Sequence, residues 1–335
     1  PITALAVGVM IGGVLQLALQ WPFLRKCGVR VKFRFHFRHP GLKQIGLLMV
    51  PAMLGAGITT INVFVSSTLA SMLPGGSVTY LFYADRIMEL PLGVFAIAIG
   101  TAVLPSFSRH AAAGKMEDLK SSISFSLRLM LFLTIPSTLA LMVLNLPIIS
   151  VLFERGAFNA EAAARTGEAL FFYGMGLWAF SVVRVFVQSF YALQDAKWPM
   201  RAAMIAFAVN LIFSLLLMHP MKHKGLALAN SLSAMANVFI LSYVLKRKIG
   251  NFLNRDFYLP VVKIVISSVL MAAAILSADY VLPWNVSADF QTKLLHLTGL
   301  ILLGGGVFFL SSYLLKSPEI RAIISLAKKR FARQA

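Results

Sequence analysis

Nine stretches of this chain are apolar over the length of a membrane span: residues 2–22, 43–70, 78–104, 124–148, 166–192, 199–218, 225–245, 259–278 and 294–315. A helix needs roughly 20 such residues to cross a hydrocarbon core of about 30 Å. In that medium every backbone N–H and C=O must be satisfied inside the protein, which leaves helices or closed barrels. Runs of this length predict helices. The expectation is therefore an all-α, polytopic membrane protein with nine transmembrane helices. The composition agrees: 59% of the 335 residues are hydrophobic and 13% charged, against about 45–50% and about 25% in soluble domains.

The formal charge of +19 would suggest a nucleic-acid partner in a soluble chain. Here the loops account for it. Loops 23–45, 106–122, 193–201, 246–257 and 316–335 hold 22 Lys and Arg, and the alternate loops 71–77, 149–165, 219–224 and 279–293 hold five. Basic loops mark the cytoplasmic side, so no nucleic acid is expected. Pro1 is then outside, the C-terminus is cytoplasmic, and a cytoplasmic start requires an odd number of spans ahead of Pro1. The chain reads as part of a longer protein. Residues 25–44 alternate basic and apolar side chains, as a strand or as a segment lying on the membrane surface. The tail after 316 is a basic amphipathic segment suited to anionic lipid. Cys27, the one cysteine, excludes an intrachain disulfide and a cysteine-based metal cluster. His36 and His39 lack acidic partners, so no metal site is expected.

The stretch Tyr80–Pro105 carries Asp85, Arg86 and Glu89 in its first half. An ionisable side chain inside a bilayer costs at least ~2.5–3.5 kcal/mol and by default marks a function. Arg86 and Glu89 stand three residues apart and can pair on one helix face. Two readings are open. The pair locks helices together, or Arg86 lines a cavity and meets an anion. Pro91 removes a helix hydrogen bond one turn on and offers a flexing point. Arg184 is a second arginine deep in a span, and Asn62 and Asn210 are polar at mid-span. Arg128, near a span end, is expected to snorkel to the headgroups. Asn159 with Glu161 signals a helix start. The seventh stretch is rich in Ala, Ser and Asn and suits close interior packing. The last two lack internal acids and read as an added hairpin facing lipid or a lipid tail. No phosphate-binding glycine loop, zinc-protease helix or nucleophile elbow occurs, and acid/base pairs are scarce. A transporter or a structural protein is expected, not an enzyme.

The run YLFYADRIMELPLGVFAIAIGTAVLPSFSRHAAAG (80–114) resembles the signature region of the MurJ (MviN) family, lipid II flippases of the MOP superfamily. VLFERGAFNAEAAART (151–166) and FYALQDAKWPMRAA (190–203) are similar to further family motifs. The resemblance implies two six-helix lobes around a cavity, then a helix pair forming a hydrophobic groove. Residues 1–24 would be the last helix of the first lobe, 25–44 the basic interlobe linker, and 45–250 the second lobe. Residues 251–316 would form the groove hairpin for the undecaprenyl tail, and 317–335 the cytoplasmic tail. Arg86 matches the arginine that meets the substrate diphosphate. Glu89 would tune or release it, with Asp85, Pro91, Arg184 and the turn 71–77 as cavity and gating elements. A sodium site known in some relatives has an acidic ligand, whereas Asn62 and Asn210 are amides. No cofactor is implied; the energy source would be the membrane potential or an ion gradient. Implied partners are lipid II, membrane lipids, the first lobe and cell-wall synthesis proteins, in a bacterial inner membrane. The alternatives are a flippase for another polyprenyl-linked oligosaccharide, or a membrane scaffold for cell-wall enzymes.

Overall fold

The computed structural model describes residues 2–26, 40–285 and 288–320. Most of the basic segment, with Cys27, His36 and His39, and the tail from residue 321 lie outside the described residues. The chain divides into two compact units, residues 1–47 and 48–335. The regular elements among the described residues are all helices, with no strand. In order the helices are α1 (Ile2–Lys26), α2 (Pro40–Ser71), α3 (Ser77–Pro91), α4 (Ala98–Ala112), α5 (Met116–Val143), α6 (Asn145–Phe153), α7 (Ala160–Ala192), α8 (Lys197–Met221), α9 (His223–Ile249), α10 (Arg255–Val281) and α11 (Phe290–Leu314). A π-helical segment, Leu92–Ile97, joins α3 to α4 in one continuous rod.

Each of the nine apolar stretches falls on helix. Among the described residues, eight helical runs are long and apolar enough to cross a membrane; the remaining stretch, 43–70, lies on α2, part of whose side chains fall outside the description. The stretch 124–148 is interrupted where a single span was expected. Leu144 leaves helical geometry between α5 and α6. Pro147 has no N–H to give back to Val143, and the Asn145 side chain instead donates to the Met142 carbonyl at 2.6 Å.

In the second unit α7 is the hub, packed against α3, α4, α5, α6 and α9. Asn159 caps it, accepting from the Ala162 amide at 3.0 Å. Small buried residues let its neighbours close in: Ala163, Gly167, Gly174, Gly176 and Ser181. Such residues set helix approach in lipid, where apolar burial gives little drive. The seventh stretch does the same on α9, where Gly225, Ala227, Ala229, Ser231 and Ala234 are buried. Ser231 donates to the Phe172 carbonyl at 2.6 Å, bonding α9 to α7.

In the second unit, loops 106–122, 193–201 and 246–257 meet at one end of the bundle, and loops 149–165, 219–224 and 279–293 meet at the other. At the end bearing the basic loops, Lys248 pairs with Asp195. Glu117, Lys120, Asn251 and Asp256 line one polar cavity of about 320 Å³ there. At the other end the rings of Tyr80 and His223 meet edge to face at 5.5 Å, and Tyr83 packs on Phe153 and Phe158. Asp289 caps α11 at this end. Hydrogen bonds, first that of the Thr292 hydroxyl, hold its carboxyl below the usual carboxylate range.

Arg128 turns toward the basic-loop end, where it borders the polar cavity. Its side chain is 19% exposed, with Nε 3.3 Å from Oε1 of the buried Glu319, and it donates to the Asp256 carbonyl.

A Cβ added at Gly176 would stand 2.8 Å from the Ser231 Cα, a backbone atom that cannot step aside. Gly176→Val should therefore destabilise the fold by about 1–3 kcal/mol, measured by thermal unfolding in detergent. Gly299→Ala, with nothing within 4 Å, should leave stability unchanged or slightly raised.

Candidate functional site

The turn 71–77 sets the start of α3. Gly76 sits at φ 90°, and a Cβ there would meet the Tyr80 ring at 2.6 Å, so glycine alone is easily accommodated. Ser77 donates to the Pro74 carbonyl through its backbone N–H and its hydroxyl. From this start Leu81, Ala84, Ile87 and Met88 face the core. Phe82, Asp85, Arg86 and Glu89 are left on the other side of the helix. Arg86, nine residues after Ser77, lies about 14 Å along it.

The Arg86 guanidinium donates to Glu89 Oε2 at 2.6 Å and lies over the Phe82 ring, 4.9 Å from its centroid. The i, i+3 pairing expected from spacing is present. The pair is not sealed between helices: the side chains are 54% and 51% exposed. Arg86 and Asp85 line a cavity of about 320 Å³ walled by α2, α3, α7 and α9, with Asn62, Ser66, Tyr173 and Asn230. Asp85 makes no ion pair among the described residues.

A second cavity of about 340 Å³ adjoins the first, sharing Asn62 and Asn230 and adding Arg184, Ser233 and Asn237. Arg184 is on α7, eight residues before its end and so about 12 Å from the basic-loop end. Gly100 on α4 faces it, with room for a Cβ 3.7 Å from the Arg184 Cβ. Among the described residues Arg184 has no hydrogen bond or ion pair. Pro91 stands between these levels, and the π-helical register begins at the next residue. A proline without an N–H permits such a slip, and single π turns recur at functional sites.

The structure thus brings Asn62, Asp85, Arg86 and Arg184 to one polar groove, with Glu89 held at its edge by Arg86. Asn210 is not among the lining residues. It is 1% exposed on α8, and neither side-chain polar atom has a partner among the described residues. Tyr173, Asn230, Ser233 and Asn237 were not anticipated. The last three recur at i, i+3 and i+7 on α9, one helical stripe, and that spacing was the available signal. Among the described residues no group of three or more His, Cys, Asp or Glu could hold a metal. Chemically, the groove offers two guanidiniums at different depths, separated by amides and hydroxyls. Guanidinium keeps its charge when buried and binds phosphate oxygens bidentately.

A family model described as "Lipid II flippase MurJ" matches residues 1–295. A probable lipid II flippase MurJ of Vibrio cholerae serotype O1 is 35% identical over 91% of this chain and 58% of its own length. One from Rhizobium meliloti is 36% identical over 91% of this chain and 57% of its own. The chain therefore spans a little under three-fifths of these relatives. Among solved structures, "Lipid II flippase MurJ, inward closed conformation" aligns with TM-score 0.67 and 26% identity, covering 91% of this chain and 60% of that one. A MOP superfamily transporter from Pyrococcus furiosus shares the fold at TM-score 0.55 and 17% identity, over 83% of this chain and 66% of that one.

Because both polar atoms of Asn210 are buried without partners, an apolar residue of similar size should cost nothing there. Asn210→Leu is expected to hold or raise the thermal midpoint in detergent. A fall of several degrees would mean that the amide is bonded in the folded protein.

Proposed function

We propose that this chain, which belongs to the lipid II flippase MurJ family, forms the second lobe and terminal helix pair of a lipid II transporter. The intact protein moves undecaprenyl-diphosphate-linked peptidoglycan precursor from the cytoplasmic to the periplasmic leaflet of a bacterial inner membrane. It does so by alternating access, with two lobes rocking about a central site. It is a transporter and not an enzyme. The basic-loop end and the C-terminus face the cytoplasm. Residues 45–250 make the lobe, 251–316 the hairpin that carries the polyprenyl tail, and 1–24 the end of the first lobe.

The observation that carries this reading is Arg86, a guanidinium inside an apolar rod that opens onto a cavity. In the structure Glu89 holds it. An arriving diphosphate offers more oxygens and takes over the fork, and Glu89 recaptures the arginine on release. Arg184 gives the diphosphate a second station nearer the cytoplasmic end, with Asn62 and Asn230 between the two. The π turn after Pro91 lets the rod flex as the groove opens to one side or the other. The membrane potential or an ion gradient supplies the energy, and cell-wall synthesis proteins are the expected neighbours. A scaffold would have the arginine packed away, and the cavity beside Arg86 speaks against that alternative. A flippase for another polyprenyl-linked oligosaccharide would use the same groove, so the saccharide is what separates the two.

In the full-length protein, Arg86→Ala removes charge-assisted hydrogen bonds worth about 1.5–3 kcal/mol. Binding of undecaprenyl diphosphate should weaken about ten- to hundredfold, and a strain depending on the variant should fail to grow. Arg86→Lys, which keeps charge but not the fork, should recover part of the binding. Normal growth and binding with alanine would overturn the reading.

A further inference from the structure

The hairpin α10–α11 packs on α5 and α6 through a hydrophobic cluster of its own. Phe132, Leu144 and Val151 meet Ile264, Met271 and Phe308 there, apart from the core around α7. In a bilayer such contacts do little to fix a helix pair, since lipid tails are as apolar as leucine. The pair could slide a turn, about 5.4 Å, and still be covered by apolar groups. Two charged contacts forbid this, one at each end of the cluster.

At the basic-loop end, Arg128 on α5 reaches both legs of the hairpin. It donates to the Asp256 carbonyl in the first turn of α10 and lies 3.3 Å from Glu319, just beyond α11. Glu319 is 2% exposed and also accepts from the Ser317 hydroxyl at 2.7 Å. At the opposite end, Lys293 in the first turn of α11 donates to Glu154 at 3.0 Å, with side chains 10% and 15% exposed. Ser150 on α6 donates to the same carboxylate oxygen. Leaving one member of a buried pair alone is strongly unfavourable, and fixing register is the best-attested use of such pairs. A one-turn slip would break both contacts together.

We infer that Arg128–Glu319 and Lys293–Glu154 form a two-point clamp that fixes the depth of the α10–α11 hairpin on this lobe. The clamp keeps a polyprenyl chain on the hairpin in step with its diphosphate at Arg86. The inference rests on the reading of the hairpin as the tail's seat. These four are positioning residues: none lines the Arg86 groove, and each acts through the placement of the hairpin. Its outer side stays apolar and exposed at Val262, Val269, Leu302 and Phe309.

The test compares two probes on full-length protein in nanodiscs, undecaprenyl diphosphate and the short-chain farnesyl diphosphate. The parent protein should prefer the long chain. Lys293→Met and Arg128→Met should shrink that preference about tenfold or more while farnesyl diphosphate binding stays within about twofold. The exchanged pair, Glu154→Lys with Lys293→Glu, should restore the preference, and Lys293→Arg should keep it. A merely destabilised protein would lose both probes alike, and that result would overturn the clamp. So would an unchanged preference in both methionine variants. If the parent itself shows no preference, the tail reading falls and the clamp's role with it. Loss of both probes in Arg86→Ala is scored separately, since it reports on the diphosphate site.

Discussion

Charge in hydrocarbon must be partnered or given water, and that constraint sorts the ionisable side chains of this structure into two kinds. Arg128 and Lys293 are paired with the buried carboxylates of Glu319 and Glu154, although Arg128 also borders the polar cavity at the basic-loop end. Arg86 and Arg184 are exposed on cavities. Arg86 has a carboxylate that can let go, and Arg184 has none among the described residues. The first kind holds the bundle in register, while the second leaves positive charge available where only an anion or water can answer it. Residue type alone does not separate the two. Burial of the partner does.

The nine apolar stretches and their loop charges were legible because they depend only on composition along the chain. The Arg86–Glu89 pair was legible because a helix brings residues three apart together. The small residues of α9 could be read for the same reason. Contacts across the bundle obey no such local rule. Glu154 and Lys293 are 139 residues apart, and nothing in the spacing of either names the other. The partner of Arg128 was not legible because Glu319 follows the last span and seemed to belong to the tail. The break at Leu144 turned on one asparagine side chain and one proline, too small a signal within a 25-residue, largely apolar stretch. Tyr173 and Asn230 reach the groove only because α7 and α9 pack closely through Gly176 and Ser231.

On the proposed reading, the groove's own charges leave this lobe with half a site. Arg86 and Arg184 stand against Asp85 and Glu89, so the formal charge of these four side chains is zero. A diphosphate brings about two negative charges into a medium where isolated charge is costly. Moving Arg86 from Glu89 to the guest frees a carboxylate, and the deficit remains. On the proposed reading, further cations would have to face the groove from the rest of the intact protein. Binding strong enough to draw the headgroup from water would then need those cations and this lobe together. Release would need only their withdrawal, with Glu89, 2.6 Å from the guanidinium in the structure, taking its arginine back. On this view the carboxylate is as necessary as the guanidinium: a groove of arginines alone would hold its cargo at every stage of the cycle.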